Sequence, residues 1–511
     1  MVYHSFQIVY KDLLTEENIL LKQYPAAKSR LKEILLKYSQ VFSSPENVIG
    51  QTNLMNFQVR LNNSGQVHRD RCRPLNPQLK ESLREQIDLW LKEGIIEECN
   101  SPWASAMVPV SKAGGGVRWC VDYRPLNKMT IHDSYPLPNI GDNLDKLQGA
   151  TVFSTLDASA AYHVIPVEKK SKPYLAFICP FGTFTYKRMP FGARNAAATY
   201  SRFIDMVLDK LRSPHVLGYV DDVIIATPSV EKHLTELENV LAAHEEAGIK
   251  LKPEKTNLFR VETTYLGYKV NKDGIHMRED YVSRILAWPS PKTGKELRSL
   301  LGFMSYYRSF IPRFSELTQD MNGQRSSKGE IQWTAQMEQC LQDLKSEFRQ
   351  GRIRSYPRFD ISDPFILTTD FSSGAIAAIL SQMQEGEEKF LAAAGRKTTI
   401  YERNYASVKG ELAAVIFALR RFEHVLRFRH FKLLTDSAAL RYIRSLKQSK
   451  GIWFRWSMEV ESYQFTVEHR AGKLIGHVDG LSRSSHLPEP EAQEEAEQRE
   501  FEYIASLASL E

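Results

Sequence analysis

At 511 residues the chain is long enough for three or four domains, each burying its own apolar core. Its formal charge of +6 is uneven: residues 484–511 hold eight Glu against one Arg, which leaves +13 on the first 483, a balance that suits a polyanionic partner and equally suits plain solubility. Apolar runs such as Val223–Ala226 and Ala413–Leu419 fall far short of a membrane span, Met1–Tyr10 lacks signal-peptide order, and the five scattered cysteines form no Cys-x-x-Cys pair, which argues against a membrane, a disulfide framework or a zinc site and for a soluble, intracellular protein.

In chain order, Leu79, Leu83, Ile87, Trp90 and Leu91 recur at threes and fours and predict an amphipathic helix over 77–94. Short β-rich runs come next at Met107–Ser111, Val117–Val121, Thr151–Leu156 and Val223–Ala226, the first two separated by the turn Gly114-Gly115-Gly116. A helical stripe returns with Leu297, Leu300, Leu301, Met304 and Ile311, and helix is expected again over 336–348. The stretch 351–364, with Pro357, Pro364 and several charges, reads as a linker. An α/β unit comes after it: strands at 365–369 and 375–380, a long helix over 402–426, and strands at 431–435 and 465–468. The end, Leu487–Arg499, is rich in Pro, Glu, Gln and Ala and reads as a disordered or loosely helical tail.

Two groups of acids stand out. Asp221 and Asp222 lie between apolar, strand-like runs, and Asp157 closes another. Taken alone, Asp221-Asp222 reads as a hairpin turn and Asp157 as the N-cap of a helix from Ala158 onward. Taken together, neighbouring strands would bring three carboxylates to one place, where only a cation makes such crowding cheap. In the C-terminal unit, Asp370, Glu411, Asp436 and Asp479 sit at strand ends or on helices, each ordinary by itself.

The phrases around these acids resemble reverse transcriptases of Ty3/gypsy-type long-terminal-repeat retrotransposons. They include Leu156-Asp157 through Tyr162-His163, Met189-Pro190-Phe191-Gly192, Tyr219-Val220-Asp221-Asp222, Arg118 through Asp122-Tyr123-Arg124, Leu266-Gly267-Tyr268, and Leu301 through Tyr306-Tyr307-Arg308 and Pro312. The resemblance runs from Phe57 to Arg483 and implies a multidomain α/β and α+β fold, a right-hand polymerase followed by an RNase H-like α/β domain. The implied divisions are an N-terminal extension (1–50), fingers with part of the palm (51–150), palm (151–279), helical thumb (280–350), linker (351–364), RNase H domain (365–483) and acidic tail (484–511).

By the same resemblance Asp157 and Asp221 bridge two Mg²⁺ ions, for which Mn²⁺ can substitute, and Asp222 assists. Arg118 and Lys112 would grip the triphosphate, Tyr162 would exclude a 2′-hydroxyl, Phe191-Gly192 would face the nascent pair and Leu266-Gly267 would hold the primer. Asp370, Glu411, Asp436 and Asp479 match the metal-binding acids of RNase H, and His469 lies near where a loop histidine helps product leave. The partners so implied are an RNA template, a DNA primer, an RNA–DNA hybrid and deoxynucleoside triphosphates, with a homodimer as an option and action in cytoplasmic virus-like particles or the nucleus. Departures are Ala193 for Leu, Ala197 for Pro, Phe371 for Ala, Ser437 for His, and Ile475 for Asn or His.

The sequence shows no Asp-Thr-Gly or Asp-Ser-Gly protease signature, zinc knuckle or integrase-like array, so it reads as the polymerase and RNase H portion of a longer polyprotein. Rival readings are a pararetroviral polymerase and a domesticated, catalytically silent nucleic-acid-binding protein. The second predicts a lost carboxylate, and all seven are present.

Overall fold

The computed structural model describes residues 19–44, 47–62, 66–111, 116–136, 138–435 and 452–469. Lys112, Asp436, Ser437, Ile475, Asp479, the tail and the side chain of His469 lie outside them. The chain divides into two compact units between Lys272 and Asp273.

After a short helix at Ile19–Gln23, the first unit has helix α1 (Pro25–Lys37), which Pro25 opens at its first turn. Its Ala27, Leu31, Ile34 and Leu35 follow helical spacing and are buried in one core with Leu237, Val240 and Leu241 of a later helix. Arg30 and Lys37 reach Glu238 at 2.9 and 2.8 Å. The segment expected as an extension thus supplies a layer of the core. Helix α2 (Pro77–Lys92) starts where the Asn76 side chain accepts from the Leu79 N–H at 2.8 Å, and buries Leu83 and Ile87. Gly94, just beyond its end, takes φ +66°, so the helix stops short of the predicted boundary.

Strands β1 (Ile96–Glu98), β2 (Ser105–Ser111), β3 (Val117–Val121), β5 (Phe177–Cys179) and β6 (Gly182–Tyr186) form a sheet in the order β1-β6-β5-β2-β3. A second sheet runs β7-β8-β4-β9, from β4 (Val152–Asp157), β7 (Val216–Tyr219), β8 (Asp222–Thr227) and β9 (Asn257–Arg260). Helix α3 (Ala196–Leu208) packs on β7, and α4 (Val230–Ala247) packs on β8 and β4. Val223, Ile224, Ile225 and Ala226 are all buried, so both faces of β8 are covered and the strand reads as an apolar run rather than an alternation. The hairpin β10 (Glu262–Tyr265) and β11 (Tyr268–Asn271) comes next.

In the second unit, α5 (Glu279–Ala287), α6 (Gly294–Ser305), the short α7 (Phe314–Leu317) and α8 (Ala335–Gln350) build a helical subdomain. Thr293 accepts from the Glu296 N–H while the Glu296 carboxylate accepts from the Lys292 N–H, which fixes the start of α6. The buried stripe is Leu297, Leu300, Leu301 and Met304 as expected, but Ile311 lies past the helix end and is buried from the loop beyond it.

The last sheet has the order β14-β13-β12-β15-β16, with β12 (Phe365–Phe371), β13 (Ala375–Gln384), β14 (Glu387–Lys397), β15 (His430–Thr435) and β16 (Gln464–His469). The first three pair antiparallel; β12, β15 and β16 run parallel. Helix α9 (Ser407–Arg421) packs along β12 and β13, and α10 (Ile452–Glu461) packs on α9.

Two expectations change here. The single helix over 402–426 is a 3₁₀ turn, α9 and a short helix at Glu423–Leu426. Glu402 is used instead to cap Thr399 and to take both guanidinium N–H groups of Arg396 at 2.7 Å, and Phe422 leaves helical geometry to bury itself. The stretch 351–364 is not loose: the Ser355 N–H donates to the Phe390 carbonyl at 2.8 Å, and Gln384 and Gln382 donate to the carbonyls of Tyr356 and Arg358.

Candidate active sites

The two central strands of the four-stranded sheet pair antiparallel from Val152↔Thr227 to Asp157↔Asp222, so two carboxylates from distant parts of the chain become direct neighbours at one sheet end. Strand β7 pairs with β8 as far as Tyr219↔Asp222, which leaves Val220 and Asp221 as a two-residue turn beside them. Val220 takes φ +53°, a strained conformation for a β-branched residue that costs about 1–3 kcal/mol and is held by the paired strands on either side. Gly218 is what lets β7 lie against α3: a Cβ there would stand 2.8 Å from Ile204 and 2.9 Å from Leu208.

The carboxylates of this cluster outnumber the cations beside them. Burial, then the charges of Asp221 and Asp157, push the Asp222 carboxyl up to about 6, against the opposing effect of Lys255. Asp157 is held by Lys255 at 3.0 Å and Lys252 at 3.5 Å. Sequence reasoning missed both lysines; their only signal was two cations flanking Pro253. Among the described residues no group of three or more His, Cys, Asp or Glu is arranged to hold a metal ion as it stands. An open cluster short of positive charge still fits Mg²⁺, which takes one or two carboxylates and completes its shell with water and substrate phosphate.

The surroundings are aromatic. Tyr162, in a 3₁₀ turn just after β4, stacks on Phe191 with ring centroids 4.8 Å apart and tilts against Tyr200 at 5.5 Å. Burial, then the charge of Asp221, raises its phenol, which places that ring within electrostatic reach of the hairpin tip. Phe191 leaves 57% of its surface exposed. The loop beyond it is held by Asn127, whose amide N–H donates to the Gly192 carbonyl at 2.9 Å and whose side-chain oxygen accepts from the Arg194 N–H at 2.7 Å. Asn127 closes the phrase that begins at Arg118, in which sequence reasoning assigned it no role. Ala193 is buried in the adjacent core. Arg118 is exposed on β3 opposite Val110. Leu266-Gly267 is the tight turn of the β10–β11 hairpin, with φ +46° and +75°.

In the second unit, Asp370 is the penultimate residue of β12, opposite Ala377, rather than the residue after the strand. Alternation sends Phe365, Leu367 and Phe371 into the core, and Asp370 to a narrow cleft lined also by Pro312, Arg313, Ser315, Glu316 and Ser372. Glu411 is 5% exposed on α9, the helix packed along β12. Strand β15 ends at Thr435, paired with His469 of β16. Asp370 and Glu411 are therefore carried by touching elements.

Residues 110–270 match the family described as reverse transcriptase (RNA-dependent DNA polymerase), and residues 360–463 match the RNase H-like domain found in reverse transcriptase. The solved structures support the fold. The foamy viral protease-reverse transcriptase in complex with RNA/DNA hybrid superposes with a TM-score of 0.79 at 23% identity, over 95% of this chain and 65% of that one. The same enzyme in complex with dsDNA gives 0.79 over 94% and 98%. The fold is thus that of a reverse-transcriptase domain followed by an RNase H-like domain.

Among curated proteins, the chain is 31% identical over 461 residues to the retrovirus-related Pol polyprotein from transposon 297 of Drosophila melanogaster, covering 89% of this chain and 43% of that one. It is 31% identical over 441 residues to the transposon Tf2-3 polyprotein of Schizosaccharomyces pombe, covering 85% and 33%. The chain carries a reverse-transcriptase domain and an RNase H-like domain, its similarity to retrotransposon polyproteins is consistent with the Ty3/gypsy type, and it spans less than half the length of these relatives. Among the described residues no helix is long and apolar enough to cross a membrane.

Proposed function

We propose that the chain copies RNA and DNA templates into DNA and hydrolyses the RNA strand of RNA–DNA hybrids at a second site. The observation that carries the polymerase reading is the Asp157↔Asp222 pairing with Asp221 in the adjoining turn, three carboxylates gathered where burial and mutual repulsion call for cations. Paired Mg²⁺ ions bound there, or Mn²⁺ in their place, would activate the primer 3′-hydroxyl and stabilise the leaving pyrophosphate.

The protein's own part is placement. Asp157 and Asp221 would hold the ions with Asp222 assisting, while Lys252 and Lys255 balance the Asp157 charge. Arg118, and Lys112 with it, offer cations to the triphosphate; an exposed guanidinium can meet phosphate oxygens through two N–H groups. Tyr162, fixed between Phe191 and Tyr200, closes the space beneath the incoming sugar. Phe191-Gly192 supports the nascent pair, and the Leu266-Gly267 turn positions the primer. In the second unit Asp370, Glu411, Asp436 and Asp479 would hold the nuclease ions, and His469 would assist product release. The foamy viral complexes with RNA/DNA hybrid and dsDNA support nucleic-acid duplexes as the ligand class. Function within virus-like particles, and as a homodimer, extends the same reading.

Extension of a DNA primer on an RNA template with deoxynucleotides and Mg²⁺ tests it, and absence of any product with either Mg²⁺ or Mn²⁺ would refute it. Tyr162→Val should admit ribonucleotides, lowering the deoxy-to-ribo incorporation ratio roughly tenfold or more, because steric exclusion by one ring is worth at least ~1.4 kcal/mol. An unchanged ratio removes Tyr162 from the sugar pocket.

The Asp222 carboxyl adds a pH test. Because its folded value of about 6 lies above the ordinary carboxylate value of 3.8, its contribution to stability is full below about 4 and is lost as pH rises through about 6. A divalent ion should restore what ionisation costs. Mg²⁺ should raise the melting temperature more at about pH 7.5 than at about pH 5, and Asp222→Asn should flatten the difference. Equal Mg²⁺ shifts at both pH values in the wild-type chain would contradict a metal at these carboxylates.

A further inference from the structure

We propose that Phe371 and Gly410 are a matched pair that sets the separation of strand β12 from helix α9, making Phe371 a positioning residue for Asp370 and Glu411. The pairing rests on the nuclease reading of this unit. Phe371 directly follows Asp370 and Gly410 directly precedes Glu411, so the approach of strand to helix at this pair sets how far apart the backbones that carry the two acids lie. A Cβ built on Gly410 would lie 2.2 Å from two ring carbons of Phe371 and 2.6 Å from a third, closer than real Cβ atoms come to any neighbour. The ring rests on bare helix backbone.

Neither partner has room to yield. Phe371 packs against the domain core, and the chain just beyond it is locked in a turn: the Ser372 N–H donates to the Ala375 carbonyl at 2.9 Å, and the Ala375 N–H donates to the Ser372 hydroxyl at 3.0 Å. On the helix, Val408 and Leu412 on either side of Gly410 are buried, which anchors that turn of α9. The large residue in the strand is thus matched by the missing side chain in the helix. Carboxylates that share metal ions must be held within about 0.5 Å of working geometry, and the groups that orient metal ligands typically govern affinity or rate about 10–100-fold.

The pair makes the effect of Gly410→Ala depend on residue 371. Helix propensity alone favours alanine in the first turns of α9, so any loss must come from the ring. The experiment compares the wild-type chain, Phe371→Ala, Gly410→Ala and the double variant. The measurements are RNA cleavage in a hybrid, the Mg²⁺ concentration for half-maximal cleavage, primer extension and melting temperature. Gly410→Ala should cut the hybrid roughly thirtyfold more slowly and need about fivefold more Mg²⁺, with primer extension unchanged. Adding Phe371→Ala should recover most of the rate and the Mg²⁺ dependence, and should turn the effect of alanine at 410 on melting temperature from lowering to raising. Wild-type cleavage and Mg²⁺ dependence in Gly410→Ala, or a double variant as slow as Gly410→Ala, would overturn the pairing. Failure of the wild-type chain itself to cut the hybrid is a separate result, which overturns the nuclease reading on which the pair stands.

Discussion

Asp221→Asn should reduce primer extension by roughly a thousandfold or more while leaving hybrid cleavage within about twofold, since a neutral amide cannot bridge two cations whose charge lowers the barrier by several kcal/mol. The substitution is well placed to report on chemistry rather than folding. Asp221 sits in the two-residue turn, and its charge adds to the repulsion that raises Asp222. Removing it relieves that repulsion, so the variant should melt at or above the wild-type temperature when no Mg²⁺ is present. Extension is to be measured on RNA and on DNA templates with saturating deoxynucleotides. A folded variant that still extends within about tenfold of wild type would show that the hairpin acids are not the polymerase centre.

Glu411→Gln should produce the opposite pattern, a loss of hybrid cleavage of about a hundredfold or more with primer extension nearly intact. Glu411 is buried on α9 against β12, and glutamine keeps its shape, so packing should survive while one anionic ligand is lost. Its site and the Asp157, Asp221, Asp222 cluster lie in different compact units, on either side of Lys272. That separation is why the two activities should be lost independently. Melting temperatures must accompany the rates, because a destabilised variant can lose both activities without either site being touched. Unchanged cleavage by Glu411→Gln, or joint loss of both activities in folded single variants, would rule out two independent sites.

The features legible in the chain were those with a local cause. The apolar run at Val223–Ala226, the stripe from Leu297 to Met304 and the amphipathic helix from Pro77 each arise from the residues at hand, because strand and helix periodicity act over a few positions. The carboxylates were found for the same reason, since they close or adjoin strand-like runs within recognisable phrases. Strand β14 was missed: Glu387–Lys397 is an edge strand of charges and small residues, and its pairing with β13 supplies the order that its own composition does not.

What only the tertiary structure decided were relations between distant residues. Local patterning could not foretell that Leu31 and Leu35 complete a core built by Leu237 and Leu241, that Lys252 and Lys255 turn toward Asp157, or that residues 354–358 are hydrogen-bonded to β13 and β14. Each depends on which surfaces meet once the sheets have paired, and burial energy rewards the whole arrangement rather than any segment. The sequence by itself placed Asp157, Asp221, Asp222, Asp370 and Glu411 in or beside strands or on a helix, as the structure has them. The strand register decided that Asp157 stands opposite Asp222, and the approach of α9 to β12 decided that Gly410 must carry no side chain, because both are distances between parts of the chain that meet only in the folded protein.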